Sequence, residues 1–230
     1  MTGLVVSYNT VGLLQRSIES ILKFHPDLPL LIVDGSDKNN PCYKYVESLR
    51  SEQIRILQPG YNVGHGRGMD MGIKIIHTEY ALIFDSDIVM IKSPLSQMLE
   101  MMEPDTFGCG WVTEIGIDGY DYGTFQHQEK DGPVKYLHPY FQLINVANYK
   151  KFVPYCHHGA PCYKTMIDIR SKGLSDKILK HFSGLTGHTK GCGANWVGTP
   201  SEYIQHDFGG TRMSNKAAGK KEIIGTWDRS

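Results

Sequence analysis

The feature that most constrains the fold is an alternation of short apolar runs with segments of helical periodicity over the first 105 residues. Apolar runs of strand length cover residues 2–7, 28–34, 53–58 and 80–84. Helical apolar spacing follows these runs at residues 11–24, 41–50, 66–77 and 93–102. Strands that alternate with helices predict βαβ units around a parallel sheet, and continuous apolar strands predict helices on both faces. We therefore predict an α/β fold.

The pattern changes in the second half of the chain. Residues 107–113 and 140–146 are predicted strands, and residues 160–172 form a predicted helix. The stretch 116–132 is rich in Gly, Asp and Tyr, which favours a loop or hairpin. The Gly-rich stretch 186–211 is predicted to be loop or closely packed strand ends. No linker divides the sequence, so we predict a single domain over residues 1–230.

Charge and cysteine content exclude several classes of protein. Lys+Arg and Asp+Glu both number 24, so the formal charge is zero and no nucleic-acid partner is expected. No apolar run reaches the roughly 18 residues of a membrane span, so we predict no transmembrane segment. The start of the sequence has no signal-peptide pattern, and five irregularly spaced cysteines do not suggest a disulfide framework. We expect a cytoplasmic protein, with attachment to a membrane face through a partner as an alternative.

Polar residues follow the predicted strands at the points where they end. In such sheets, ligands bind beyond the carboxyl ends of the strands, so we place the functional site at this edge. The polar strand ends are Ser7-Tyr8-Asn9, Asp34-Gly35-Ser36, Tyr61-Asn62 and Asp85-Ser86-Asp87.

The last of these ends carries two carboxylates around one small residue. Strand alternation predicts that Asp85 and Asp87 point to the same side. Two anions this close repel each other unless a positive charge compensates, and a divalent cation completed by substrate phosphates would do so. An isolated Asp-x-Asp is more often a pair of solvated turn residues, but the position after a buried strand favours a metal site.

A glycine-rich stretch precedes the third predicted helix. Its spacing does not fit a dinucleotide fingerprint, because Met69 stands where a third glycine is needed after Gly64 and Gly66. Free N–H groups at a helix start favour phosphate, and His65 and Arg67 would add positive charge. A simple loop that turns into a helix is the alternative.

Four sequence blocks occur in one order over the first 105 residues, at 5–9, 32–36, 62–68 and 82–87. In this combination the chain resembles nucleotide-sugar glycosyltransferases of the GT-A fold, most closely the large family-2 group. Residues 106–230 match only loosely. The resemblance implies a Rossmann-like fold with a mixed, mostly parallel sheet flanked by helices. It also implies a nucleotide-binding half (1–105) and an acceptor-binding half (106–230).

The resemblance implies a role for individual residues. A late histidine and a nearby basic residue contact the metal and the diphosphate in many GT-A enzymes, and His206 and Arg212 resemble them. A structural, hydrogen-bonded histidine is the alternative for His206. The implied nucleotide-binding residues are Ser7, Tyr8, Asn9, Asp34, Asn62, Arg67, Asp85 and Arg212. The implied ligands of Mn2+ or Mg2+ are Asp85, Asp87 and His206.

The catalytic base is the point at which the sequence departs from the family. Inverting members carry a Glu-Asp pair before a helix, and the comparable stretch 157–162 has no carboxylate. Inversion needs such a base, so the missing pair puts inversion in doubt, and retention stays open. For each candidate carboxylate, the alternative interpretation is an ordinary solvated loop residue with no catalytic role. The candidates are Asp118, Asp121 and His158, with Glu114 and His157 behind them.

Two further groups of residues invite an interpretation. Cysteines 156 and 162 with histidines 157 and 158 fit no standard zinc spacing, so we prefer loop residues that line an acceptor cleft. Aromatic faces suit the apolar C–H surfaces of sugars, although such residues more often belong to the core. The aromatic candidates are Tyr120, Tyr122, Tyr136, Tyr140 and Trp196.

These observations predict a metal-dependent glycosyltransferase of the hexosyltransferase type. It would move a sugar from a nucleoside diphosphate, with UDP favoured, to a hydroxyl of a glycan or related acceptor. A non-catalytic nucleotide-sugar-binding module is one alternative, because the Glu-Asp pair is missing. A sugar-phosphate nucleotidyltransferase is another, but it needs a Gly-rich basic loop after the first strand, which residues 7–12 lack.

Overall fold

The computed structural model describes residues 1–116, 132–156, 160–185 and 201–206. Within these ranges the strands are β1 (Thr2–Ser7), β2 (Leu30–Asp34), β3 (Ile54–Leu57), β4 (Tyr80–Asp85), β5 (Ile88–Met90), β6 (Gly108–Ile115), β7 (Val134–Asn145), β8 (Leu179–His181) and β9 (Ile204–His206). The helices are α1 (Val11–Phe24), α2 (Pro41–Ser48), α3 (His65–Ile75), α4 (Leu95–Glu100), α5 (Val146–Tyr149), α6 (Tyr163–Ser171) and α7 (Ser175–Ile178).

Among the described residues, the central sheet has seven strands in the order β3-β2-β1-β4-β7-β6-β8. Strand β1 pairs in parallel with β2 and β4, β2 pairs in parallel with β3, and β6 pairs in parallel with β8. Strand β7 runs antiparallel to both of its neighbours, β4 and β6. A two-stranded sheet of β5 and β9 lies beside it. The predicted mixed, mostly parallel α/β architecture is confirmed.

Helices cover both faces of the sheet because the strands are apolar on both sides. Neighbouring residues of β1 point to opposite faces, so Leu4 belongs to one core cluster and Val5 to the other. The first cluster lies under α3, α5 and α6, and the second lies under α1, α2 and α4. Helix α1 begins and ends as predicted because Leu14, Ile18 and Ile21 repeat at helical spacing and are buried.

Helix α3 packs unusually close to β1. A Cβ atom at Gly72 would lie 2.4 Å from Leu4 Cδ1, and one at Gly68 would lie 2.7 Å from Val6 Cγ1. Gly64 precedes the helix with a φ of +76°, a conformation that favours glycine. The glycine-rich stretch therefore lets the helix start at the carboxyl edge of the sheet.

Strand β7 is longer than predicted. We expected a strand over 140–146, whereas the structure has Val134–Asn145. Pro139 interrupts the sequence pattern, because proline cannot donate to the sheet and is uncommon in central strands. The structure accommodates it at a shift of register between β6 and β7. The predicted loop or hairpin at 116–132 and most of 186–211 lie outside the described residues, and the division into halves stays a prediction.

Candidate active site

Two carboxylates and one imidazole converge where β4 turns into β5. Asp85 is the last residue of β4, and Asp87 directly precedes β5. His206 Nε2 lies 3.3 Å from Asp87 Oδ1 and 3.6 Å from Asp85 Oδ2. One ligand atom from each of the three residues fits within 4.8 Å of the others. The fold therefore brings the predicted metal ligands together, although His206 lies far from the two aspartates in the sequence.

Strand β9 carries the histidine to this position. The antiparallel pairing of β5 and β9 sets His206 opposite Ile88, directly next to Asp87. On its other side, the ring of Tyr140 stacks on the imidazole, with centroids 4.8 Å apart and planes 9° from parallel. Strand register and ring stacking together fix the orientation of His206.

Helix α1 holds the turn from its buried face. Ser17 Oγ donates a hydrogen bond of 3.1 Å to the carbonyl oxygen of Asp85, and Ser20 Oγ accepts one of 2.9 Å from the N–H of Met90. Both serines are buried, at 0% and 9% exposure. The sequence analysis did not identify these two serines. The feature that could have identified them is a hydroxyl group at a core-facing position of an amphipathic helix.

His65, which the sequence predicted to add positive charge near a phosphate, lies against the carboxylate cluster instead. Its Nε2 lies 3.1 Å from Asp85 Oδ1. Burial opposes the ionisation of Asp85, but the neighbouring imidazoles of His65, His206 and His138 outweigh it and lower the pKa of Asp85 to about 2. Burial likewise opposes protonation of His65, but Asp85 and Asp87 raise its pKa. The site thus favours an ionised carboxylate surrounded by positive charge.

A second group of polar contacts ties together the ends of β1, β2 and β3. The fully buried carboxylate of Asp34 accepts hydrogen bonds from Ser7 Oγ (2.9 Å) and Ser36 Oγ (2.6 Å) through Oδ1. Its Oδ2 accepts one from Gln58 Nε2, at 3.1 Å. Asn9 has a φ of +58°, and its N–H donates to Ser36 Oγ at 2.9 Å. Protein donors occupy Asp34, so a direct contact with a base or ribose stays a prediction.

The other predicted site residues are distributed along the same edge or lie outside the described residues. Tyr8 is half-buried after β1, and Asn62 Oδ1 accepts a 2.9 Å hydrogen bond from the N–H of Gly64. Arg67 is exposed in the first turn of α3. Glu114 is exposed on β6. Outside the described residues lie Asp118, Asp121, His157, His158 and Arg212.

The aromatic and cysteine candidates have different environments from those expected. Tyr136 and Tyr140 are buried, at 3% and 2% exposure, so their faces are not open to a sugar. They serve the core, as their neighbours on β7 do. Cys162 is fully buried and accepts from Gln142 Nε2 at 3.8 Å. Within the described ranges, no cysteine joins a group that could hold a metal ion. Tyr120, Tyr122 and Trp196 lie outside these ranges.

Comparison with known proteins points to one family. The model of the family described as glycosyl transferase family 2 matches residues 4–168. No curated protein sequence matches the chain significantly.

Several solved structures have a similar fold. The mannosyltransferase PcManGT from Pyrobaculum calidifontis, in complex with GDP-Man and Mn2+, has a TM-score of 0.55 and 12% identity, over 79% of this chain and 54% of that one. S. aureus TarS 1-349 in complex with UDP-GlcNAc has a TM-score of 0.53 and 14% identity, over 84% of this chain and 60% of that one. GalNAc-T7 with UDP, GalNAc and Mn2+ has a TM-score of 0.51 and 11% identity, over 67% of this chain and 36% of that one. The match thus spans between about a third and three-fifths of these longer chains.

Proposed function

Because the chain belongs to glycosyl transferase family 2 and shares the GT-A fold of its structural neighbours, we propose that it is a metal-dependent hexosyltransferase. It transfers a sugar from a nucleoside diphosphate, with UDP favoured, to a hydroxyl of a glycan or related acceptor. The family match supports glycosyl transfer. The observation that carries metal dependence is the convergence of Asp85, Asp87 and His206 within 4.8 Å.

The donor set fits a divalent cation. Two carboxylates suit both Mg2+ and Mn2+, and an imidazole as third ligand favours Mn2+. The pKa of Asp85 is lowered to about 2, so this carboxylate is ionised at neutral pH. Two of the structural neighbours are complexes with Mn2+, which agrees with this choice. When bound, the cation would offset the charge that develops on the nucleoside-diphosphate leaving group.

The residues around this position would bind the rest of the donor. Helix α3 directs the free N–H groups of its first turn, with the exposed Arg67, toward the carboxyl edge, an arrangement that favours phosphate. Asn9 supports a nucleoside contact, because its Oδ1 and Nδ2 are buried and have no hydrogen-bond partner in the described part of the chain. The hydrogen bonds of Asp34 hold the loops around Asn9 in place.

One observation favours a second candidate function, a nucleotide-sugar-binding module without catalysis. Helix α6 begins after Cys162, where inverting relatives would carry a carboxylate. Burial raises the pKa of this thiol to about 12, so it cannot serve as a base at neutral pH. In the catalytic proposal, the candidates for the base stay Asp118, Asp121 and His158, with Glu114 and His157 as alternatives. Turnover of UDP-sugars with glycan acceptors would support the enzyme. Retained UDP-sugar binding with no turnover would support the binding module.

Calorimetric titration of UDP into the protein, with and without Mn2+, tests the proposal. We expect tight binding only with the metal, and we expect Asp87→Ala to abolish the metal-dependent part. Asp27→Ala is the matched control, because Asp27 is exposed between α1 and β2, at the opposite edge of the sheet. Equal UDP and Mn2+ binding by the Asp87→Ala protein would show that the metal assignment is wrong.

The cytoplasmic location remains part of the proposal. The four cysteines in the described residues, Cys42, Cys109, Cys156 and Cys162, are free thiols, which agrees with a reducing compartment. Among the helices of the described ranges, none is both long and apolar enough to cross a membrane.

A further inference from the structure

The pairing of β6 and β7 breaks down beside the carboxylate cluster. Gly110 pairs with Gln142, whereas Val112, two residues later, pairs with Leu137. A single β6 residue, Trp111, therefore faces residues 138–141 of β7. Pro139 lies in this stretch and cannot donate to the sheet, which explains why regular pairing stops here. Such irregularities redirect side chains and are common next to active sites.

The redirected side chains form a continuous row of rings, the aromatic strip, which consists of Trp111, His138 and Tyr140. Ring centroids are 4.9 Å apart between Trp111 and His138, and 5.3 Å apart between His138 and Tyr140. Tyr140 in turn stacks on His206 at 4.8 Å. Tyr140 is buried, whereas Trp111 and His138 are half-buried. The strip thus connects a partly open aromatic surface with one of the proposed metal ligands.

Strand order places the aromatic strip across the cluster from the nucleotide-binding edge. Strands β1 and β2, which carry Ser7 and Asp34, lie on one side of β4, and strands β7 and β6 lie on the other. A donor whose nucleoside contacts the β1–β2 edge and whose diphosphate contacts Asp85 and Asp87 would direct its own sugar to the β7 side, which is the side on which the acceptor must approach that sugar. This reasoning rests on the proposed glycosyltransferase function.

We propose that Trp111 and His138 form a carbohydrate-binding surface that holds a pyranose ring of the acceptor. The face of an indole ring carries partial negative charge and attracts the slightly positive C–H groups on one face of a pyranose. The imidazole of His138, whose Nδ1 accepts a 3.5 Å hydrogen bond from the N–H of Tyr140, adds a second ring to this surface. A nucleobase would also stack on Trp111, but the polar groups suited to a nucleoside are on the other side of β4.

Saturation-transfer NMR on the full chain, saturated with UDP and diamagnetic Mg2+, tests this proposal. The probes are the methyl glycosides of glucose, galactose, mannose and N-acetylglucosamine. Trp111→Leu keeps apolar volume but removes the flat face, and Trp111→Phe keeps a smaller face. Phe24→Ala is the matched control, because Phe24 is an exposed aromatic residue at the far end of α1.

We expect the parent protein to bind at least one glycoside through its ring C–H groups. Trp111→Leu should weaken that binding about fivefold to tenfold, as expected for the loss of a stacking partner. Trp111→Phe should keep most of it, and Phe24→Ala should match the parent. The UDP affinity with Mg2+ should stay constant across the series. Every variant should melt well above the assay temperature, although Trp111→Leu loses packing against the second core cluster.

Three results would overturn the proposal while the proposed function stands. These are parent-like glycoside binding by Trp111→Leu, no glycoside binding by a parent that binds UDP, and loss of the uracil signal instead of the pyranose signal in Trp111→Leu. Failure of the parent to bind UDP with any divalent metal would instead contradict the proposed function itself.

Discussion

Asp34 and Asp85 lie at the carboxyl ends of two strands of the same sheet, but their surroundings are chemically different. Asp34, at the end of β2, is fully buried among neutral donors, the hydroxyls of Ser7 and Ser36 and the amide of Gln58. Asp85, at the end of β4, faces the imidazoles of His65 and His206. A carboxylate saturated by fixed hydrogen bonds supports the backbone around it. A carboxylate next to another carboxylate and to imidazoles is suited to bind a cation, because a neighbouring imidazole such as His206 can lose its proton and become a ligand itself.

The largest expected effect concerns the stability of the β2 end. Asp34→Ala should lower the free energy of unfolding by about 3 to 4 kcal/mol, because several buried donors lose their acceptor at once. Asp85→Ala should cost less, about 1 to 2 kcal/mol, because the attraction of the neighbouring imidazoles is lost but these imidazoles can shed their charge. Urea denaturation of both variants measures the difference. Similar losses of unfolding free energy in the two variants would contradict the distinction between a structural and a cation-binding aspartate.

Metal affinity should show the reverse order. Asp85→Ala should weaken Mn2+ binding by at least about 100-fold, because the loss of a group that only supports a ligand already costs 10- to 100-fold. Asp34→Ala, assayed at a temperature at which it is folded, should bind Mn2+ nearly as the parent does. Titration followed by the disappearance of the free Mn2+ signal measures both affinities. A large loss of Mn2+ affinity in Asp34→Ala would mean that the end of β2 contributes to metal binding at the end of β4.

The smallest effect concerns the support of the β4–β5 turn by α1. Ser17→Ala removes the hydrogen bond to the carbonyl of Asp85 and should cost about 1 kcal/mol of stability, with a smaller loss of Mn2+ affinity. Ser48→Ala is the matched control, because Ser48 is an exposed helical serine that donates to the carbonyl of Tyr45. If Ser17→Ala behaves like this control in both measurements, α1 does not position the carboxylates.

The first half of the fold could be predicted because its information is local. Strand β1 and helix α1 have the predicted bounds, since apolar alternation and helical spacing act over a few residues. The Asp85–Asp87 pair is a local motif as well, and its position after a buried strand indicates the correct edge of the sheet.

The other parts of the site depend on contacts between distant residues. His206 reaches Asp87 through the pairing of β9 with β5, and no spacing in the sequence encodes that register. The involvement of His65 depends on how closely the glycines let α3 approach β1. Trp111 enters the site region only through the register shift beside Pro139. The sequence pattern instead predicts that a strand begins directly after this proline. The resemblance supplied His206 as a candidate, whereas Ser17 and the aromatic strip required the structure.

The central claim is that the end of β4 binds a metal through Asp85, Asp87 and His206. Electron spin-echo envelope modulation of bound Mn2+ tests it directly, because a coordinated imidazole nitrogen modulates the echo. We predict nitrogen modulation in the parent, its loss in His206→Ala, and its retention in His77→Ala, a control at an exposed histidine beyond the far end of α3. Nitrogen modulation that persists in His206→Ala, or a parent that shows none, would contradict the proposed coordination.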